Sequence, residues 1–206
     1  AMKGSYHGKS MGALSLTFNP KYRESFQPLV EKVSFSPYGD IDALHDVVDK
    51  DTAFVILEPI QGESGIHVPP EGFLQDVRKL CDENNSLLIF DEIQSGLGRT
   101  GSMWASEHWK TVPDIMCLAK GIAGGVPMGV TLVRPDILAV MKKGEHSSTF
   151  GGNPLACAAG TATLHALTQD GLIENAKSVG EKFLQGLEEL KSKHPIIREV
   201  RGKGLM

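Results

Sequence analysis

Three side chains of this sequence stand where open α/β sheets do their chemistry. Glu58 follows the apolar run "AFVIL" (53–57), Asp91 follows "SLLIF" (86–90), and Lys120 follows "DIMCLA" (114–119). A residue just past a buried strand lies at the carboxyl edge of the sheet, where ligands bind. One acid there could equally be a helix cap or a turn residue, but two acids and a lysine should gather into a site. Lysine is mostly a surface residue, and one that ends an apolar run has a partner or a task. Its amine can form a Schiff base with a carbonyl cofactor, while a carboxylate keeps a cofactor ring nitrogen protonated. Opposite charges about 4 Å apart interact by roughly 4 kcal/mol at an effective dielectric near 20, or about three pK units. That combination suits pyridoxal phosphate, with Lys120 as covalent anchor and general base and Asp91 beside the ring nitrogen. Gly121, Ala123, Gly124 and Gly125 leave room for the group and for the lysine to swing.

The elements that must position these residues are visible as short apolar runs. The three above and "GVTLV" (129–133) are apolar without alternation, the pattern of strands buried on both faces of a parallel sheet. Between the first two, Phe73, Leu74, Val77, Leu80 and Cys81 recur at helical spacing behind Pro69-Pro70-Glu71, which completes a βαβ unit. Residues 154–168 read as a tightly packed helix of small side chains. Residues 171–193 read as an amphipathic helix with Leu172, Ala176, Val179, Phe183, Leu187 and Leu190 on one stripe. "IIREVRGKGLM" reads as the start of a strand. The class is therefore α/β with a mainly parallel sheet flanked by helices.

Composition sets the outer bounds. The chain has 206 residues, is 41% hydrophobic and 22% charged, and carries a net charge of −4, which gives no reason to expect nucleic acid or an anionic membrane as partner. No apolar run approaches the length of a membrane span. Cys81, Cys117 and Cys157 are odd in number and far apart, which favours reduced thiols in a cytoplasmic protein. "GLGRTG" (96–101) matches a dinucleotide fingerprint formally, but polar and small residues separate it from its strand and no clear helix start follows. The histidines show no metal-binding spacing, and no metal is expected. His7 is open between a contact to the cofactor and a structural loop histidine.

Four stretches in register, "FVILEPIQGESG", "LLIFDEIQSGLGRTG", "PDIMCLAKGIAGGVPMG" and "HSSTFGGNPLAC", resemble the signature of class-III pyridoxal-phosphate aminotransferases of the ornithine and acetylornithine type. The likeness runs from "GSYHGKSMGALSLT" to "VRGKGLM". It implies the large domain of a fold-type-I enzyme over residues 1–194, with residues 195–206 opening a smaller C-terminal domain. It also implies roles. Lys120 is the Schiff-base lysine and Asp91 the partner of the pyridine nitrogen. Gln94 contacts the phenolic oxygen, Ile93 packs one ring face and Tyr6 the other. Ser148 and Thr149 reach across a homodimer interface, Thr149 to the partner's cofactor phosphate. Glu63 is a gate that moves aside for the carboxylate of 2-oxoglutarate, and Glu58 supports the site from behind.

Departures from the family pattern bear on substrate. The phosphate-binding loop is expected upstream of residue 1 and the arginine facing Glu63 downstream of residue 206, so the chain reads as a segment lacking both ends. Where acetylornithine enzymes read H-G-R, this chain reads "HGK", which puts Lys9 at a substrate-carboxylate position with the charge kept and the bidentate fork lost. The implied reaction moves a terminal amino group between an N-acylated ornithine, or a blocked lysine or aminoadipate-semialdehyde precursor, and 2-oxoglutarate or glutamate, in arginine or lysine biosynthesis. A glutamate-semialdehyde type aminomutase, another ω-aminotransferase and an inactive fragment of the same fold stay open. Glu63 favours a transaminase over the aminomutase, and intact Lys120, Asp91, Gln94 and Thr149 oppose an inactive scaffold.

Overall fold

A computed structural model describes residues 1–206. Three short helices, α1 (Met11–Leu16), α2 (Pro20–Arg23) and α3 (Ile41–His45), precede the first strand. Then follow β1 (Phe54–Leu57), α4 (Phe73–Asn84), β2 (Leu87–Asp91), β3 (Ile115–Leu118), β4 (Val130–Val133), α5 (Pro135–Leu138), α6 (Pro154–Gln169) and α7 (Leu172–Lys193). The strands lie in the order β1-β2-β3-β4, the first three parallel and β4 antiparallel to β3. The α/β class and the mainly parallel sheet are as the apolar runs predict.

The core explains the βαβ unit. Phe73, Leu74, Val77, Leu80 and Cys81 of α4 are all buried, and they pack with Val55 and Leu57 of β1 and Leu88 and Phe90 of β2. Asn85 ends the helix in the left-handed region (φ 55°), and its N–H returns to Asp82 and Cys81 carbonyls, so β2 starts two residues later. Asp114 ties this unit to the next strands. Its carboxylate accepts from Leu88 N (2.7 Å), Arg78 Nη1 (2.8 Å) and Arg134 Nη1 (2.5 Å).

Burial departs from expectation on the second face of the sheet. In β2 and β3 buried residues alternate with half-buried ones, and β4 has no buried residue. The cause is that α4 covers one face while the other is only partly roofed. α6 forms over nearly the predicted span, yet only Ala156 and Gly160 are buried, so it is not tightly packed. Within α7 the predicted stripe is largely uncovered; Ala176 and Gly180 alone are buried. Gly180 is needed there, because a Cβ would lie 2.1 Å from the Gly204 carbonyl oxygen. Residues 195–206 turn against α7 and the 99–100 loop and form no strand. Ala105–Trp109, which shows no clear helix start in sequence, forms a 3-10 helix.

Candidate active site

The three edge residues do converge, each by a different local device. β1 delivers Glu58 one residue past its end, where Oε1 accepts from Tyr6 N and Oε2 from Gly62 N, both at 3.0 Å. β2 delivers Asp91 as its last residue. Its Oδ2 takes a 2.8 Å hydrogen bond from His7 Nδ1 and its Oδ1 a 3.0 Å bond from Ile93 N. Asp91 is 5% exposed and His7 9%, so this pair is shielded from solvent where charge-assisted bonds are strongest.

Beyond β3 the chain turns sharply into a 3-10 turn at Lys120–Ala123. Lys120 itself sits in the left-handed region (φ 46°), a conformation that costs a non-glycine residue on the order of 1–3 kcal/mol and clusters at functional sites. Its Nζ is exposed and donates only to Gln94 Oε1, at 3.3 Å. Gln94 is in turn packed against Gly62, where a Cβ would lie 2.3 Å from Oε1. A glycine is therefore required at position 62 for the amide to lie flat between the two loops.

These loops enclose a cavity of about 560 Å³, lined among others by Glu63, Ile93, Gln94, Arg99 and Lys120. Burial raises the Glu58 carboxyl above its ordinary value, against the backbone bonds from Gly62 and Tyr6 and the neighbouring His7, and Asp91 adds to the rise. Burial, with Asp91 nearby, also raises the Cys117 thiol. Glu58 thus lies close enough to Asp91 to feel its charge while its own oxygens are held by backbone donors.

Other predicted residues are placed around this centre. Tyr6 is half-buried and meets Tyr22 edge-to-face at 5.7 Å, and Lys9 Nζ stands 5.0 Å from the Tyr22 ring. Tyr22 thus meets both Tyr6 and Lys9, and none of the three lines the cavity. Ser148 and Thr149 are exposed on the 142–153 segment and are not brought to the cavity; Ser148 Oγ accepts from Gly151 N.

Sequence reasoning left His7 open and gave no weight to Glu92. Glu92 is fully buried beside Asp91, with Oε2 accepting from Ser95 Oγ (2.7 Å) and Ala105 N (3.0 Å) and Oε1 from Ser106 N (2.8 Å). It anchors the 92–106 loop that presents Gln94 and Arg99. The signal that could have found it is the acidic pair "DE" at the end of a buried strand.

The residues present fit a carbonyl cofactor with a basic ring nitrogen. An amine with one weak partner lines the cavity, a buried carboxylate is held in place at the end of the neighbouring strand, and the buried His7 Nε2 has no partner. The two Asp91 oxygens each accept one bond, which leaves lone pairs for another donor.

Comparisons with known proteins agree with the geometry. The model of the family "Aminotransferase class-III" matches residues 1–206. The chain is 50% identical to an acetylornithine aminotransferase of Methanopyrus kandleri over all of its length and 52% of the relative's. It is 48% identical to a putrescine aminotransferase of Pectobacterium atrosepticum, covering 46% of that protein. It superposes with a TM-score of 0.95, at 40% identity, on an ornithine aminotransferase of Toxoplasma gondii described with partial occupancy of PLP at its active site, covering 99% of this chain and 49% of that one. The chain spans about half the length of the relatives it matches. With the family model matched from first residue to last, the chain belongs to the class-III aminotransferases.

Proposed function

We propose that this chain carries a large part of the active site of a pyridoxal-phosphate aminotransferase that exchanges a terminal amine with 2-oxoglutarate or glutamate. The observation that carries the reading is the exposed Lys120 amine, 3.3 Å from Gln94, just past the strand that runs parallel to the one ending in the buried, His7-bonded Asp91. Bound there, pyridoxal phosphate supplies a carbonyl for the amine and a ring that withdraws electrons from the carbon bearing it. The chain's own residues do the rest. Asp91, fixed by His7 and Ile93 N–H, keeps the ring nitrogen protonated. Ile93 and Tyr6 pack the two ring faces, and Gln94 orients the phenolic oxygen. Lys120 Nζ removes and returns the proton at the amine-bearing carbon. Glu63 gates the keto-acid carboxylate.

The amino donor is an N-acylated ornithine or a blocked lysine precursor, which places the reaction in arginine or lysine biosynthesis. Relatives named for acetylornithine support the first, and Lys9 offers a cation for a donor carboxylate. The similarity to a putrescine aminotransferase makes a free diamine the substrate to test against it. We further read residues 1–194 as the large domain and 195–206 as the opening of a second. The enzyme is a cytoplasmic homodimer in this reading. The exposed Ser148 and Thr149 belong to a stretch whose apolar side chains, Val140, Phe150 and Leu155 among them, are uncovered. No helix is long and apolar enough to cross a membrane.

The test uses the full-length protein and its Lys120→Ala variant, each mixed with pyridoxal phosphate and followed by near-ultraviolet and visible absorbance. A band displaced from that of the free cofactor, present only with Lys120, is expected. Turnover with acetylornithine should then exceed that with putrescine. An identical spectrum from the two proteins would overturn the assignment of Lys120.

A further inference from the structure

The segment that carries Glu63 is held from two sides, and one of them lies 135 residues away in sequence. At its base, Glu58 Oε2 accepts from Gly62 N, and Gln61 and His67 exchange backbone bonds of 3.0 and 2.9 Å. At its tip the backbone is strained. Ile66, a β-branched residue, is at φ 58°, a genuine outlier for such a side chain. What meets that tip is Arg201. Its Nε donates to the carbonyls of Gly65 (2.8 Å) and Ile66 (3.1 Å), while its Nη1 pairs with Glu199. Its side chain is only one-third exposed.

The same terminal segment also walls the cavity. Leu205 N donates to Arg99 O at 2.9 Å, and Leu205 and Met206 line the space that Glu63 and Lys120 share. Within residues 1–206 Glu63 has no hydrogen-bond or ion-pair partner, so the part of its placement that this segment controls comes from the backbone that carries it. One guanidinium N–H shared between two successive carbonyls, on an arginine whose Nη1 is held by Glu199, fixes where that backbone stands.

We propose that Arg201 is the positioning residue for Glu63: by clamping the Gly65 and Ile66 carbonyls it sets where the Glu63 carboxylate stands and so which substrate carboxylate is admitted. The inference rests on the gate reading of Glu63. It adds that the gate is coupled to the 199–206 segment, so that a movement of that segment is felt at Glu63.

The experiment takes the full-length protein and measures the two half-reactions separately, with acetylornithine and with 2-oxoglutarate, in the wild type, Arg201→Gln, Arg201→Lys, Glu63→Gln and the Arg201→Gln/Glu63→Gln double variant. Thermal midpoints are recorded for each. Losing the clamp should raise KM for 2-oxoglutarate by about 5–30-fold, the factor that one to two kcal/mol produces. The acetylornithine half-reaction should change far less, and Lys should restore part of the loss. In the Glu63→Gln background the Arg201 effect should largely vanish, because residues acting as one unit are non-additive.

An Arg201→Gln effect of equal size in both backgrounds, or one confined to the thermal midpoint, would overturn the proposal. So would an unaltered KM in Arg201→Gln when Glu63→Gln shifts it. If Glu63→Gln itself leaves both half-reactions unchanged, the gate reading fails first and the inference with it.

Discussion

His7 shows how much one side chain can decide at this site. Its Nδ1 holds one oxygen of a carboxylate that is 5% exposed, and only the Ile93 N–H shares the task. A hydrogen bond to a charged group contributes about 1.5–3 kcal/mol. His7→Phe in the full-length protein should therefore raise the dissociation constant for pyridoxal phosphate by about 10- to 100-fold. His7→Asn, whose amide nitrogen can stand near the position of Nδ1, should recover part of that. Equilibrium dialysis checks both, and unchanged affinity in His7→Phe would remove His7 from the support of Asp91. The placement of Asp91 and Lys120 at one edge of the sheet was legible in the sequence because each ends an apolar run. The pairing of His7 with Asp91 was not, since the two lie 84 residues apart and nothing local announces it.

At the scale of the element, the loop from Glu92 to Trp109 is organised around one buried acid. Three donors converge on Glu92, two of them backbone N–H groups at the start of the 3-10 helix. Burial still outweighs these bonds and raises its carboxyl above the ordinary 4.5. A raised carboxyl binds its proton more tightly folded than unfolded, so the stability it contributes is fullest below 4.5 and falls as pH rises through the folded value. Glu92→Gln cannot ionise and turns an N–H toward donors that need acceptors. It should destabilise by about 1–3 kcal/mol. Its deficit relative to the wild type should be largest at the acid end and narrow as pH rises, which urea unfolding across the pH range would show. The strands flanking this loop were readable from their apolar runs, whereas the 3-10 helix was not. Its start is fixed by a carboxylate 13 residues upstream and by no pattern of its own.

For the molecule as a whole, the uncovered apolar surface is informative. Leu155 is 73% exposed and Phe150 80%, and the last strand of the sheet has no buried residue. The sequence pattern reported correctly that these segments are apolar, and it cannot say whether their cover comes from the same chain. If the cover is a second copy related by a two-fold axis, each side chain counts twice. Burying a Leu contributes about 1.5–3 kcal/mol, so Leu155→Asp in the full-length protein should weaken the dimer by about 10²- to 10⁴-fold. Sedimentation at graded concentrations would measure it, and an unaltered association state would place the interface elsewhere. Within one chain, Asp114 has a different consequence. By holding an arginine from α4, an amide from β2 and the arginine just after β4, it joins one helix, an inner strand and the edge strand at a single carboxylate. Fraying of the weakly covered β4 at its Arg134 end therefore has to break a charge-assisted bond to the same carboxylate that holds α4 and β2, which ties the loosening of that strand to the core.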